Sequence, residues 1–154
     1  MPGVVDSWVG YTGGSADGDS PPTYQSVCAG DGFTEAIRLE FDSTITSYEE
    51  ICRYYYEDPH VKDMFCSDNS GGGRSGMEAA QYRTAVFVQD KEQREVALRV
   101  SDDIGKEVPV LPLVNWFDAE PYHQHFCDPH AQRNNWKAPP RSAPKPWAVV
   151  DIWK

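Results

Sequence analysis

Four residues close together, His123, His125, Cys127 and His130, form a His-x-His-x-Cys-x-x-His run. In an extended segment the first three project from one face as two nitrogen donors and one sulfur donor, a set that suits zinc or copper. A bound structural zinc is nevertheless not expected, because the stretch is short and polar, and surface histidines near a domain end account for it. The remaining thiols are Cys28, Cys52 and Cys66, and no two of the four cysteines stand in Cys-x-x-Cys spacing. A structural zinc pair and a thioredoxin-type dithiol are both without a foothold. Cys28 reads as a small buried hydrophobe and Cys52 as an inert thiol on the inner face of a helix. Cys66 lies in a polar loop with Lys62 as its one neighbouring cation. Gly10-Tyr11-Thr12-Gly13-Gly14 and Gly71-Gly72-Gly73 lack both the Lys-Ser/Thr ending of a phosphate loop and dinucleotide-binding spacing, and no Gly-x-Ser-x-Gly elbow occurs.

Several segments carry a secondary-structure period. Val4 to Val9 reads as a strand that the Gly10–Gly14 cluster ends, followed by a surface loop from Ser15 to Thr23. Thr34 to Asp42 alternates, with Ile37, Leu39 and Phe41 on one face and Arg38 and Glu40 on the other, so it predicts a strand with one face buried. Ser47 and Glu50 have capping-box spacing, and Tyr48, Ile51, Cys52 and Tyr55 follow on one helix face until Asp58-Pro59. Asp63 to Gly76 is a long loop. Tyr82 to Val88 predicts a strand, and Asp90 caps a helix that turns Val96, Ala97, Val100 and Ile104 inward before Gly105. Val108 to Val114 predicts an edge strand, since Pro109 and Pro112 each remove a ladder donor. The mixed order predicts a two-layer α+β domain with four or five strands and helices on one face of the sheet. The domain is expected over 1–127 and a Pro-rich tail, pinned back by Trp147 and Trp153, over 128–154.

With 14 basic and 24 acidic residues the formal charge is −10, which repels phosphate backbones and anionic lipid, so neither nucleic acid nor membrane is an expected partner. No apolar run approaches the roughly 18 residues of a membrane span, and Met1 to Asp6 lack a basic and an apolar leader segment. The expectation is a soluble protein, cytoplasmic by default and organellar if a transit peptide has been lost. Four cysteines in 154 residues is far too few for a disulfide-stapled scaffold, so the thiols are expected to be reduced.

The most specific signal is an ordered set of blocks: Gly10-Tyr11-Thr12-Gly13-Gly14, Thr23-Tyr24-Gln25-Ser26-Val27-Cys28-Ala29-Gly30, Glu35, Ser47-Tyr48-Glu49-Glu50, Gln81-Tyr82-Arg83-Thr84-Ala85-Val86 and Ala119-Glu120-Pro121-Tyr122-His123-Gln124. Their order and spacing across about residues 4 to 126 resemble the peptide methionine sulfoxide reductase A family. The resemblance implies reduction of the S epimer of methionine sulfoxide in peptides or proteins, with no cofactor and with thioredoxin regenerating a catalytic thiol. A sulfoxide oxygen leaves only when protonated or strongly hydrogen-bonded, which calls for a neutral carboxylic acid beside hydroxyl donors. By position the resemblance gives these roles to Glu35 as proton donor and to Tyr24 and Tyr82 as oxygen ligands. A Glu near pKa 4.3 would have to be raised by about two through burial to donate at neutral pH. Without the resemblance, Glu35 reads as a solvated residue at a strand start, and the two tyrosines as core residues with satisfied hydroxyls.

Against the family pattern, the nucleophile block Gly-Cys-Phe-Trp does not occur in the sequence. Phe33 stands where the family has His, and Met77 where it has an active-site Asp, with Glu78 adjacent as a substitute substrate-binding group. The expectation is therefore a family member impaired in turnover, its first strand and helix missing. The gap would expose apolar sheet surface unless the segment from Trp136 to Trp153 fills it. The alternatives are a non-catalytic module that binds methionine sulfoxide or peptide, and a metal-binding domain built on His123 to His130.

Overall fold

The computed structural model describes residues 1–14, 21–58, 85–125 and 147–151. Its frame is the antiparallel pair β1 (Val4–Thr12) and β2 (Thr34–Phe41), in which Trp8 faces Arg38, Val9 faces Ile37 and Tyr11 faces Glu35. β1 outruns the sequence expectation by running through Gly10 and Tyr11 to Thr12. Glycine is tolerated there for a packing reason: a Cβ on Gly10 would stand 2.3 Å from the Trp116 ring and 2.6 Å from the Phe117 carbonyl oxygen.

Between the two strands lies a short helix that sequence periodicity did not reveal, α1 (Tyr24–Cys28). Thr23 and Ser26 cap it reciprocally. The Ser26 N–H donates to Thr23 Oγ1 at 3.2 Å, and the Thr23 N–H donates to Ser26 Oγ at 2.9 Å. The next helix, α2 (Tyr48–Glu57), has the predicted Ser47/Glu50 box and buries Ile51, Cys52, Tyr55 and Tyr56. After β3 (Val86–Val88), Asp90 caps α3 (Lys91–Ile104), and Gly105 ends it at φ +70°, a left-handed conformation suited to glycine. β4 (Val110–Pro112) pairs parallel with β3 at the sheet edge, a place that suits Pro112 within it. β5 (Phe117–Asp118) pairs with β1 at the other edge, and β6 (Trp147–Asp151) pairs antiparallel with both β2 and β3. Among the described residues the sheet has six strands in the order β4-β3-β6-β2-β1-β5. The expected four or five strands undercounts it, because neither a two-residue strand nor one in a Pro-rich terminal segment announces itself by alternation.

The three α-helices among the described residues lie on one side of this mixed sheet. Ile37, Val86 and Val88 pack with Cys52, Tyr55, Tyr56, Ala97 and Val100 of α2 and α3, while Val9 and Tyr11 pack with Val27 of α1. Paired register places Val9, Tyr11, Glu35 and Ile37 on that same face. The other face is covered by the chain around Leu113 and Trp116, which packs on Ala36, Ala85 and Phe87.

That second cover corrects the reading of Arg38 as an exposed face. It is 2% exposed, its guanidinium carbon 4.8 Å from the Trp8 ring centre and 5.3 Å from that of Trp116. Arg38→Ala is expected to destabilise the protein by about 3 kcal/mol in urea unfolding, since it empties a buried slot between two indoles. A loss below about 0.5 kcal/mol would show that the stack carries no stability.

Candidate functional site

The chemistry-bearing residues gather at the Tyr11 end of the helix-covered face. Tyr11 is fully buried and Glu35, its cross-strand partner, is 4% exposed, so the solvated reading of Glu35 does not hold. Side chains of cross-strand partners rise from the same face, with Cβ atoms about 5 Å apart. Above them stands Glu120, held between β1 and α1. The Tyr11 hydroxyl donates to Glu120 Oε2 at 2.7 Å, and the Tyr24 backbone N–H donates to Oε1 at 2.9 Å.

Glu120 is fixed by the way its segment docks on β1. Phe117 and Asp118 continue the sheet opposite Tyr11 and Gly10, and the Ala119 N–H donates to the Val9 carbonyl at 3.0 Å. Pro121 then starts a single 3-10 turn, Pro121–His123, with Glu120 preceding it. Gln124 closes the dock: its Oε1 accepts from the Val9 N–H at 2.9 Å, while its Nε2 donates to the carbonyls of Val9 at 2.9 Å and Ala119 at 3.0 Å. One buried amide thus replaces a missing strand neighbour at this point of β1.

The turn brings an aromatic stack to the site. The ring of buried His123 lies 4.5 Å from that of Tyr24 and 4.3 Å from that of Tyr122, and Tyr122 is largely exposed. Phe33, where the family pattern has His, is a packing residue, edge-on to Phe117 at 5.7 Å.

Electrostatics follow from this burial. Desolvation, then the hydrogen bond and charge of Glu120 and the charge of Glu35, push the Tyr11 hydroxyl far above the ordinary phenol range, so it stays a donor. Burial opposes the charge of Glu120, but the Tyr24 N–H and Tyr11 hydroxyl, with His123 nearby, bring its carboxyl below the ordinary value. Cys52 is fully buried under α2, where desolvation pushes its thiol up to about 12. Cys28 is half-buried at the end of α1.

Of the residues singled out in the sequence, Tyr24 meets Glu120 through its backbone N–H, and Glu35 stands across the strand pair from Tyr11. Tyr82, Glu78, Met77, Cys66, Cys127 and His130 lie outside the described residues. Among the described residues no group of three or more His, Cys, Asp or Glu could hold a metal ion. His125 instead has its Nε2 3.6 Å from Asp6. No described helix is long and apolar enough to cross a membrane. In the sequence Tyr11, Glu120 and Gln124 stand out only as parts of motif blocks. The signal that could have found them is the co-occurrence of two unexplained blocks, Gly-Tyr-x-Gly-Gly and Ala-Glu-Pro-Tyr-His-Gln, which dock on each other.

A family model described as peptide methionine sulfoxide reductase matches residues 1–145. A probable peptide methionine sulfoxide reductase of Schizosaccharomyces pombe is 35% identical over 137 residues, which cover 81% of this chain and 73% of the relative. The peptide methionine sulfoxide reductase MsrA of Mycolicibacterium gilvum is 34% identical over 159 residues, covering 92% of this chain and 85% of its own. Among solved structures, methionine sulfoxide reductase A of Corynebacterium diphtheriae matches with a TM-score of 0.55 at 25% identity, over 91% of this chain and 68% of that one.

Proposed function

The chain belongs to the peptide methionine sulfoxide reductase family, and we propose that it acts on the S epimer of methionine sulfoxide in peptides and proteins through an oxygen-binding site formed by Glu35, Tyr24 and Tyr82. The observation that carries this reading is the burial of Glu35 on the same sheet face as Tyr11, beside the helix that starts at Tyr24. A carboxyl taken out of water is disfavoured as an anion, which suits it to donate a proton to a sulfoxide oxygen.

In the overall reaction two thiols reduce one sulfoxide. A thiolate adds to sulfur, the oxygen takes two protons and departs as water, the thioether is released, and the two sulfurs end as a disulfide. Glu35 supplies a proton at the oxygen, and the tyrosine hydroxyls hold that oxygen while the sulfur–oxygen bond weakens. Thioredoxin is the proposed reductant of the disulfide. Turnover is impaired in these 154 residues, because none of Cys28, Cys52, Cys66 and Cys127 stands in a Gly-Cys-Phe-Trp block. One observation favours a second reading, a sulfoxide-binding module: Cys52 is sealed in the core with its thiol held protonated.

Binding separates oxygen recognition from turnover. Calorimetry with a peptide carrying methionine S-sulfoxide is expected to show binding at least tenfold tighter than with the methionine peptide. Tyr24→Phe and Glu35→Ala are each expected to erase about tenfold, the worth of one hydrogen bond in a desolvated site. Equal affinity for methionine and its sulfoxide would sink the oxygen-site assignment.

A further inference from the structure

We propose that the turn from Glu120 to Gln124 positions Tyr24, Glu120 fixing its backbone and His123 its ring, so that the Tyr24 hydroxyl meets the sulfoxide oxygen at a set place. The inference rests on the reading of Tyr24 as an oxygen ligand, and it makes Glu120 and His123 positioning residues.

Tyr24 needs such a hold because its own helix supplies little. α1 has five residues, and the N–H of its first residue has no acceptor within the helix. Thr23 serves the residues further on, its Oγ1 accepting from the Ser26 N–H at 3.2 Å and its carbonyl from the Val27 N–H at 2.9 Å. The Tyr24 N–H instead donates outside the helix, to Glu120 Oε1 at 2.9 Å. A tyrosine ring turns about its side-chain bonds until packing limits it. Here the half-buried Tyr24 ring packs with the Val9, Tyr11 and Val27 cluster and lies 4.5 Å from the His123 ring, which Tyr122 backs at 4.3 Å.

Both grips come from one short turn, and that turn is tied to β1. The Tyr11 hydroxyl donates to Glu120 Oε2 at 2.7 Å, the Ala119 N–H donates to the Val9 carbonyl, and the Gln124 amide bonds the N–H and the carbonyl of Val9. β1 is in turn paired with β2, where Glu35 stands opposite Tyr11. Tyr24 is thereby referred to the strand pair that carries Glu35. Two groups that act on one oxygen are set from one frame, which is what a fixed angle of approach requires.

The test measures, by calorimetry on the full 154-residue chain, the ratio of affinities for a methionine S-sulfoxide peptide and the methionine peptide. Glu120→Ala is expected to lower that ratio about fivefold, most of the worth of one hydrogen bond. Glu120→Gln is expected to keep it within about twofold, since its Oε1 accepts from the Tyr24 N–H while its Nε2 donates to the Tyr11 hydroxyl. In a Tyr24→Phe chain, which has no hydroxyl to place, adding Glu120→Ala or His123→Ala is expected to change the ratio by less than about twofold. A merely structural role would lower it equally with and without the Tyr24 hydroxyl, and that result overturns the proposal, as does an unchanged ratio in Glu120→Ala. Should Glu120→Ala not fold, His123→Ala in the two backgrounds decides on the same terms. Amide exchange in the chain without peptide reads the grip by itself: Glu120→Ala, or His123→Ala in its place, should speed exchange at Tyr24 at least tenfold relative to Val27, and equal rates overturn the grip. Faster exchange together with a ratio that Tyr24→Phe leaves unchanged would uphold the grip and overturn the oxygen reading of Tyr24 instead.

Discussion

Truncation after Pro146 is expected to abolish cooperative folding, although it removes only the last eight residues of the chain. The reason is topological. β6 pairs along β2 from Glu40 to Ala36 on one side and with Val86 and Phe87 of β3 on the other. Without it, β2 and β3 face each other as two unpaired edges, and the core that joins Ile37 to Val86 and Val88 beneath α2 and α3 loses its floor. The whole stability of a domain this size is about 5–15 kcal/mol, so losing pairing on both sides of a central strand exceeds what the remainder can hold. Circular dichroism in urea should show a broad, non-cooperative transition for the truncated chain, with strong binding of a dye for exposed apolar surface. Val149→Pro tests the same strand without shortening the chain, because proline removes a donor from the middle of a sheet. A truncated chain that unfolds cooperatively within about 1 kcal/mol of the full one would show that β6 contributes little.

The residues most easily read from the sequence were those whose local pattern coincides with their final environment. Ser47 with Glu50, and Asp90 with Gly105, bound their helices because caps act within four residues and need no tertiary partner. β2 was legible as a strand by alternation, but alternation reports only which residues share a face. It could not say that the Arg38 face would be roofed by Trp116, a residue far along the chain. Gly10 misled for the same reason: glycine is a turn signal locally and a packing requirement once Trp116 arrives. α1 has five residues, too few for a helical period, and Thr23 with Ser26 is a capping box lacking the usual Glu or Gln.

The candidate site was legible only through the order of its motif blocks. Alternation puts Glu35 on the face of Ile37, Leu39 and Phe41, so the period pointed to its burial while its charge at a strand start pointed to solvent. The Tyr11–Glu120 and Val9–Gln124 contacts join residues more than a hundred positions apart, and no local rule links such pairs. Each half looked unremarkable alone: a tyrosine in a glycine cluster, and a glutamate and glutamine around a turn. Docking gives them their meaning, because it supplies Glu120 with two donors and β1 with the partner its exposed backbone needs.

The 154-residue chain is expected to reduce a methionine S-sulfoxide peptide no faster than a variant with all four cysteines changed to Ser, with dithiothreitol or thioredoxin as reductant. Attack on sulfur needs a thiolate about 3 to 3.5 Å away and aligned, and misplacement alone can cost about a hundredfold. Cys52 meets neither need: it is fully buried, and a thiol held near 12 is ionised to only about one part in 100,000 at pH 7. Cys28 stands at the end of α1, one helical turn beyond Tyr24. A strand bearing Gly-Cys-Phe-Trp fused ahead of Val4 is expected to raise turnover at least a hundredfold, if Glu35, Tyr24 and Tyr82 hold the oxygen as proposed. In that fusion, Glu35→Gln should return the rate by a factor of about 100 to 1,000, the usual worth of a general acid, while a Cys-to-Ser change in the fused block should return it fully. Turnover by the unmodified chain that disappears in Cys28→Ala would refute the impaired reading and make Cys28 the nucleophile. A fusion that binds sulfoxide peptide yet turns over no faster would instead place the fault in aligning the thiolate with sulfur, since oxygen recognition would then be intact.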